Sequence, residues 1–177
     1  MMSALNNTLE KIDSNLDGSL DRLFELLKIE SVSTDPAYKA ECKKAGQYLV
    51  DQLNGIGFDA SLRETPGHPM VVAHHDGPEG VPHVLFYGHY DVQPVDPIEL
   101  WDTPPFEPTI KEVNGAKRIY CRGSSDDKGQ LMTFVEACRG WIEATGSLPC
   151  KVTILFEGEE GPGRHRWNRF LMRQQKN

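Results

Sequence analysis

A chain of 177 residues is long enough for one packed core, and 38% hydrophobic residues with 16 Gly match an ordinary folded domain, not a disordered one. A net charge of −7 and a pI near 5.3 argue against nucleic acid or an anionic membrane as the main partner and suit a binder of cations. There is no apolar run of the roughly 18 residues that a bilayer span needs, and Met1 to Leu16 lacks the apolar stretch of a secretory signal.

In chain order, Leu9, Ile12, Leu16, Leu20, Leu23 and Leu27 step by three or four residues and predict one amphipathic helix, weakened at Gly18. Thr34-Asp35-Pro36 offers an N-cap followed by proline. The stripe Tyr38, Cys42, Ala45, Leu49, Leu53 then predicts a second helix ending at Gly55. Short β-prone runs follow at Met70–Ala73, Val84–Tyr87, Ile119–Cys121 and Val152–Phe156, read as largely buried strands of an α/β sheet. Residues 94–117, with five prolines, read as an excursion at the sheet edge or over a site. A third helix is predicted from about Lys128 to Thr145, with Gly146 as its stop.

The four cysteines, Cys42, Cys121, Cys138 and Cys150, form no Cys-x-x-Cys pair. They are expected to be reduced, buried thiols in a cytoplasmic protein.

Three of the β-prone runs end in metal-ligand chemistry. Val84–Tyr87 runs into Gly88-His89-Tyr90-Asp91, Ile119–Cys121 leads to Arg122 through Gly129 with Asp126-Asp127 inside it, and Val152–Phe156 ends in Glu157-Gly158-Glu159-Glu160. Ligands bind at the carboxyl ends of strands in open α/β sheets. Carboxylates gathered there repel one another unless a cation is present. On an extended chain residues 89 and 91 share a face, so Asp91 can orient a ligating His89. Taken singly, each has a plainer role: N-capping for Asp126 and Asp127, a core or surface histidine for His89, a solvated loop for the glutamates. His74-His75-Asp76, with neighbouring rings on opposite faces, is a weaker ligand set, and His68 and His83 sit in turn-like contexts. Ser124-Ser125 lacks the flanks of a nucleophile elbow, and no phosphate-binding glycine loop is present.

Gly88-His89-Tyr90-Asp91-Val92-Gln93-Pro94, Trp101 with Pro104-Pro105-Phe106-Glu107-Pro108, Arg122-Gly123-Ser124-Ser125-Asp126-Asp127-Lys128-Gly129 and Glu157-Gly158-Glu159-Glu160 together resemble the ordered blocks of the co-catalytic zinc peptidases. That family includes carnosinase-type dipeptidases, acetylornithine deacetylase, succinyl-diaminopimelate desuccinylase and glutamate carboxypeptidase. The Tyr-Asp-Val-Gln-Pro and Trp…Pro-Pro-Phe blocks are most similar to the dipeptidase branch. The resemblance implies a three-layer helix-sheet-helix α/β domain with a mostly parallel sheet, of which residues 1–160 are the N-terminal part, without the later strands, the lid domain or its homodimer interface.

The same resemblance implies His89 as a metal ligand, Asp126 as the carboxylate bridging two zinc ions (manganese or cobalt being alternatives), and Asp91 as the catalytic Asp that orients His89. It implies Glu160 as general base, a cis Asp126–Asp127 bond, and a dipeptide or N-acyl amino acid as substrate. The chain departs from the pattern at Gly161, where a second Glu is usual. A register with Glu159 as base and Glu160 as ligand is the alternative.

Residues 161–177 hold five of the 19 Lys and Arg and no Asp or Glu, leaving a net −12 on residues 1–160. One codon set for Gly161 to Phe170, read from its third base, gives Ser-Gly-Ser-Pro-Ser-Leu-Glu-Pro-Phe, similar to the family's continuation. A frameshifted basic tail and an inactive chain are the expectations that follow. A metal-binding or heterodimerising fragment is the non-enzymatic alternative.

Overall fold

The computed structural model describes residues 3–160; the tail at 161–177 and the departure at Gly161 lie outside the described residues. Where one long helix was predicted there are two, α1 (Ala4–Ser14) and α2 (Leu16–Leu27). The chain breaks at Asn15 (φ −113°, ψ 19°), three residues before Gly18, which sits inside α2. Asp35 caps the next turn by accepting from the Ala37 amide at 2.9 Å, Pro36–Tyr38 form a short 3₁₀ turn, and α3 runs from Lys39 to Asn54. The strands β1 (Asp59–Arg63), β2 (Met70–His75) and β3 (His83–His89) follow, then a hairpin of β4 (Thr109–Val113) and β5 (Ala116–Tyr120). Helix α4 (Lys128–Thr145) and β6 (Lys151–Glu157) complete the described chain.

The main sheet has the order β1-β2-β6-β3. The α/β class matches the sequence reading, but strand direction differs from the mostly parallel expectation. Only β3 and β6 run parallel; β1–β2 and β2–β6 are antiparallel. The physical reason is the connections: residues 64–69 are too short a link for anything but an antiparallel return, whereas α4 lies between β3 and β6 in the chain and permits the parallel pair. Ile119–Cys121 is not in this sheet. Residues 116–120 pair only with β4, through a tight turn in which Asn114 and Gly115 both have positive φ (53° and 77°).

Hydrophobic periodicity places the core on one face of the sheet. Val71, Ala73, Ile154 and Phe156 pack against Cys42, Ala45, Leu49 and Leu53 of α3 and Leu131 and Val135 of α4, all at 0% exposure. Each buried Leu or Phe contributes roughly 1.5–3 kcal/mol. Helices α1 and α2 pack on α4, where Glu136 accepts from Arg22 (2.6 and 2.8 Å) and Ser19 (2.8 Å). The opposite face, expected to carry a further helix layer, has none among the described residues. There β3, an edge strand expected to be buried, leaves Leu85 66% and Tyr87 46% exposed.

Candidate metal centre

His89 is the last residue of β3 and stands in register with Glu157, the last of β6, so parallel pairing brings two of the predicted blocks to one rim. The third arrives through the loop between β5 and α4. Its Asp127 accepts the backbone N–H of His89 at 3.0 Å. A Cβ at position 88 would lie 2.8 Å from Asp127 Oδ2, so Gly88 leaves room for that carboxylate to approach. Gly158 is bound in the same way: a Cβ would meet the Tyr90 hydroxyl at 2.3 Å, and Tyr90 is fully buried with its OH donating to Pro69 O at 2.5 Å.

Two carboxylates flank the His89 imidazole. Nδ1 lies 3.2 Å from Asp91 O and 3.4 Å from Asp91 Oδ1, and Nε2 lies 3.0 Å from Asp126 Oδ1. The Asp126–Asp127 peptide bond is cis. Burial works against a charge on His89, but Asp91, and after it Asp126, outweigh burial and raise its pKa to about 9. Burial raises Asp127 as well, against the opposing pull of the His89 amide and ring. The Asp127 side chain does not cap α4; it props His89 instead.

The donor chemistry fits a divalent cation. Asp91 can only accept, so the Nδ1 facing it donates, and in a neutral ring Nε2 then presents a lone pair toward a carboxylate oxygen. Two lone pairs meeting at 3.0 Å require a positive charge between them. In the ion-free protein a proton on Nε2 supplies it. A divalent cation held by His89 and Asp126 would supply it as well.

Asp91, Glu160, His89 and Asp126 all line one cleft of about 180 Å³, together with Arg122 and Ser124. Asp91 is 1% exposed and both its oxygens accept from the Glu160 backbone N–H, at 3.1 and 3.2 Å. Glu159 does not line the cleft. The weaker histidines go elsewhere: His74 and His83 both bond Thr153 Oγ1, and His68 Nε2 bonds Ser33 O.

Two supports at this rim had no signal in the sequence strong enough to find them. Lys128 is fully buried, donating to Leu26 O (3.1 Å) and Ile29 O (2.7 Å), and burial lowers its pKa to about 8. It ties the loop after Asp127 to the end of α2. Ser33 donates to Asp91 Oδ2 at 2.5 Å from 58 residues upstream.

Residues 85–167 match the profile of Peptidase family M20/M25/M40. Over that stretch the chain is similar to this family. It is 26% identical over 187 residues to the Cys-Gly metallodipeptidase DUG1 of Saccharomyces cerevisiae and 28% identical over 189 residues to the Beta-Ala-His dipeptidase of Rattus norvegicus. These matches cover 98% and 97% of the chain but 38% of each relative. Among solved structures, human carnosine dipeptidase 1 is similar with a TM-score of 0.86 at 25% identity, over 99% of this chain and 39% of that one. The chain thus spans well under half the length of its M20 relatives, and the M20 match includes the β3, Asp126-Asp127 and Glu157–Glu160 blocks.

Proposed function

We propose that this chain carries part of the active centre of a metal-dependent dipeptidase, whose whole reaction is hydrolysis of a dipeptide-like amide bond. The observation that carries the reading is the meeting of His89 Nε2 and Asp126 Oδ1 at 3.0 Å, backed by Asp91, in a cleft that Glu160 also lines. In this reading His89 and Asp126 would hold the metal, zinc in the family's usual form and manganese or cobalt as alternatives, with Asp126 as the carboxylate that would bridge two ions. The bound ion supplies Lewis acidity toward the scissile carbonyl and toward water.

The remaining steps belong to the chain's own side chains. Asp91 keeps the His89 proton on Nδ1 and so directs Nε2 into the cleft. Glu160 accepts a proton from the attacking water as the water oxygen bonds to the carbonyl carbon. When the C–N bond breaks, that proton leaves on the amine. A dipeptide substrate is favoured over an N-acyl amino acid because the yeast and rat relatives are named as dipeptidases. A cytoplasmic, reducing setting is consistent with buried free Cys42, Cys121 and Cys138, whose thiols burial pushes up to about 12, 11 and 12. Among the described residues no helix is long and apolar enough to cross a membrane.

His89 and Asp126 are two protein donors, whereas catalytic zinc usually has three. Among the described residues no group of three or more His, Cys, Asp or Glu is placed to hold one ion. Weak metal binding and little turnover are therefore expected of this chain in isolation. The exposed Leu85 and Tyr87 on β3 favour a second reading, a module that pairs with an intact relative. Metal content after zinc dialysis, with hydrolysis of Cys-Gly and β-Ala-His, tests the first reading. Turnover comparable to an intact dipeptidase contradicts the two-donor argument, and no metal uptake contradicts the metal centre. Stoichiometric pairing without turnover favours the module.

A further inference from the structure

The Asp91 carboxylate does not hold itself in place. It is 1% exposed, and the Ser33 hydroxyl donates to its Oδ2 at 2.5 Å while its Oδ1 faces the imidazole. The segment that carries Ser33 is pinned along its length. Val32 forms a parallel bridge with Val92, the Val92 amide donates to Ser31 O at 2.9 Å, and Ser31 Oγ donates to Tyr90 O at 2.7 Å. Behind it, His68 Nε2 donates to Ser33 O at 2.9 Å, since a carbonyl can only accept. The segment therefore runs beside residues 90–92 and delivers one hydroxyl to one carboxylate oxygen.

The Glu160 amide reaches both Asp91 oxygens, at 3.1 and 3.2 Å, while the Ser33 hydroxyl holds Oδ2 alone and so opposes rotation of the carboxylate. The oxygen left facing His89 is Oδ1, 3.4 Å from Nδ1 and beside the Asp91 backbone O at 3.2 Å; both can only accept, so Nδ1 carries the hydrogen. We infer that Ser33 is a positioning residue of the metal centre: its hydroxyl locks the Asp91 carboxylate so that His89 holds hydrogen at Nδ1 and turns Nε2 toward a divalent ion. This rests on the metal-centre reading above and names the group on which that reading's geometry depends. Partners bonded to a ligand, as Asp91 is to His89, typically change metal affinity 10–100-fold when lost, and Ser33, which acts through Asp91, belongs at the lower end of that range.

The test compares Ser33→Ala, Ser33→Thr and Ser31→Ala with the parent chain, each checked by circular dichroism. One readout is cobalt(II) affinity from its visible absorption. The other is the exchange rate of the His89 Nδ1–H resonance in metal-free protein by NMR. Ser31→Ala removes a hydrogen bond of the same segment without touching Asp91, so it reports a merely structural loss. Expected for Ser33→Ala is an affinity at least about tenfold lower and an Nδ1–H that exchanges at least tenfold faster. Ser33→Thr, which keeps the hydroxyl, restores both, and Ser31→Ala changes neither.

Parent-like behaviour of Ser33→Ala overturns the inference, as does an equal effect of Ser31→Ala. Should Ser33→Ala not fold, Ser33→Cys carries the same expectation, with similar size and a weak donor. A parent chain that binds no cobalt contradicts the metal-centre reading itself. The Nδ1–H arm then still decides whether Ser33 holds the imidazole: loss in Ser33→Ala with retention in Ser33→Thr supports it, and persistence in both overturns it.

Discussion

The two carboxylates on either side of His89 are built in opposite ways. Asp91 is 1% exposed and accepts from Ser33 Oγ and the Glu160 amide, so its position is over-determined. Asp126 keeps 83% of its side chain exposed while it reaches Nε2. A group meant to aim an imidazole must be rigid before any ion arrives, whereas a group meant to meet an ion gains from staying open to solvent. In the proposed metal centre that difference would give support to the Asp91 side of the ring and capture to the Asp126 side.

The largest effect expected on that comparison is from His89→Ala, which removes the shared element. Cobalt(II) affinity should fall by more than about 100-fold, beyond the usual cost of an outer partner. Next is Asp91→Asn. Its carboxamide keeps one acceptor oxygen and turns the other into an NH2 donor, so the same titration should show a loss of about 10–100-fold. An Asp91→Asn chain that binds as the parent does would place support elsewhere.

Gly158→Ala then tests whether the rim depends on the packing of Tyr90. Overpacking against a fully buried ring should cost about 1–3 kcal/mol in urea denaturation. The smallest effect is remote from the centre. Burial raises the Glu136 pKa, but Arg22 first, then Ser19 and Arg139, outweigh it, and the net direction is down. A lowered folded-state pKa gives stability that is fully present above the unfolded value of roughly 4.3 and is lost as pH falls through the folded value. Glu136→Gln should therefore be less stable than the parent by about 1 kcal/mol at pH 7, a gap that closes below pH ~4 in urea midpoints.

Local signals were legible in the sequence. Lys128 to Thr145 was readable as a helix because apolar spacing and Gly146 agree, and the structure ends α4 at Thr145. The convergence of the blocks around His89, Asp126 and Glu160 was legible because each follows a β-prone run, and the structure brings the three residues to one cleft. Strand direction was not, since Met70–His75 carries the same apolar run whether its neighbour is parallel or antiparallel. β4 escaped because Thr109–Val113 is half-exposed, although the Asn114-Gly115 turn marks the hairpin it belongs to. Asn15, not Gly18, breaks the first helical stretch: a glycine inside a helix costs about 1 kcal/mol, which neighbouring packing absorbs. Ser33 was invisible for a different reason. A serine that acts through one hydrogen bond over 58 residues leaves no periodic or spacing signal.

The most direct test of the metal centre follows the ¹⁵N resonances of His89 while zinc is titrated into the chain. The account predicts that Nε2 shifts on binding, that Nδ1 keeps its hydrogen toward Asp91, and that Asp126→Asn weakens the response. Zinc binding that leaves Nε2 unmoved, or that occurs at Nδ1, would contradict it.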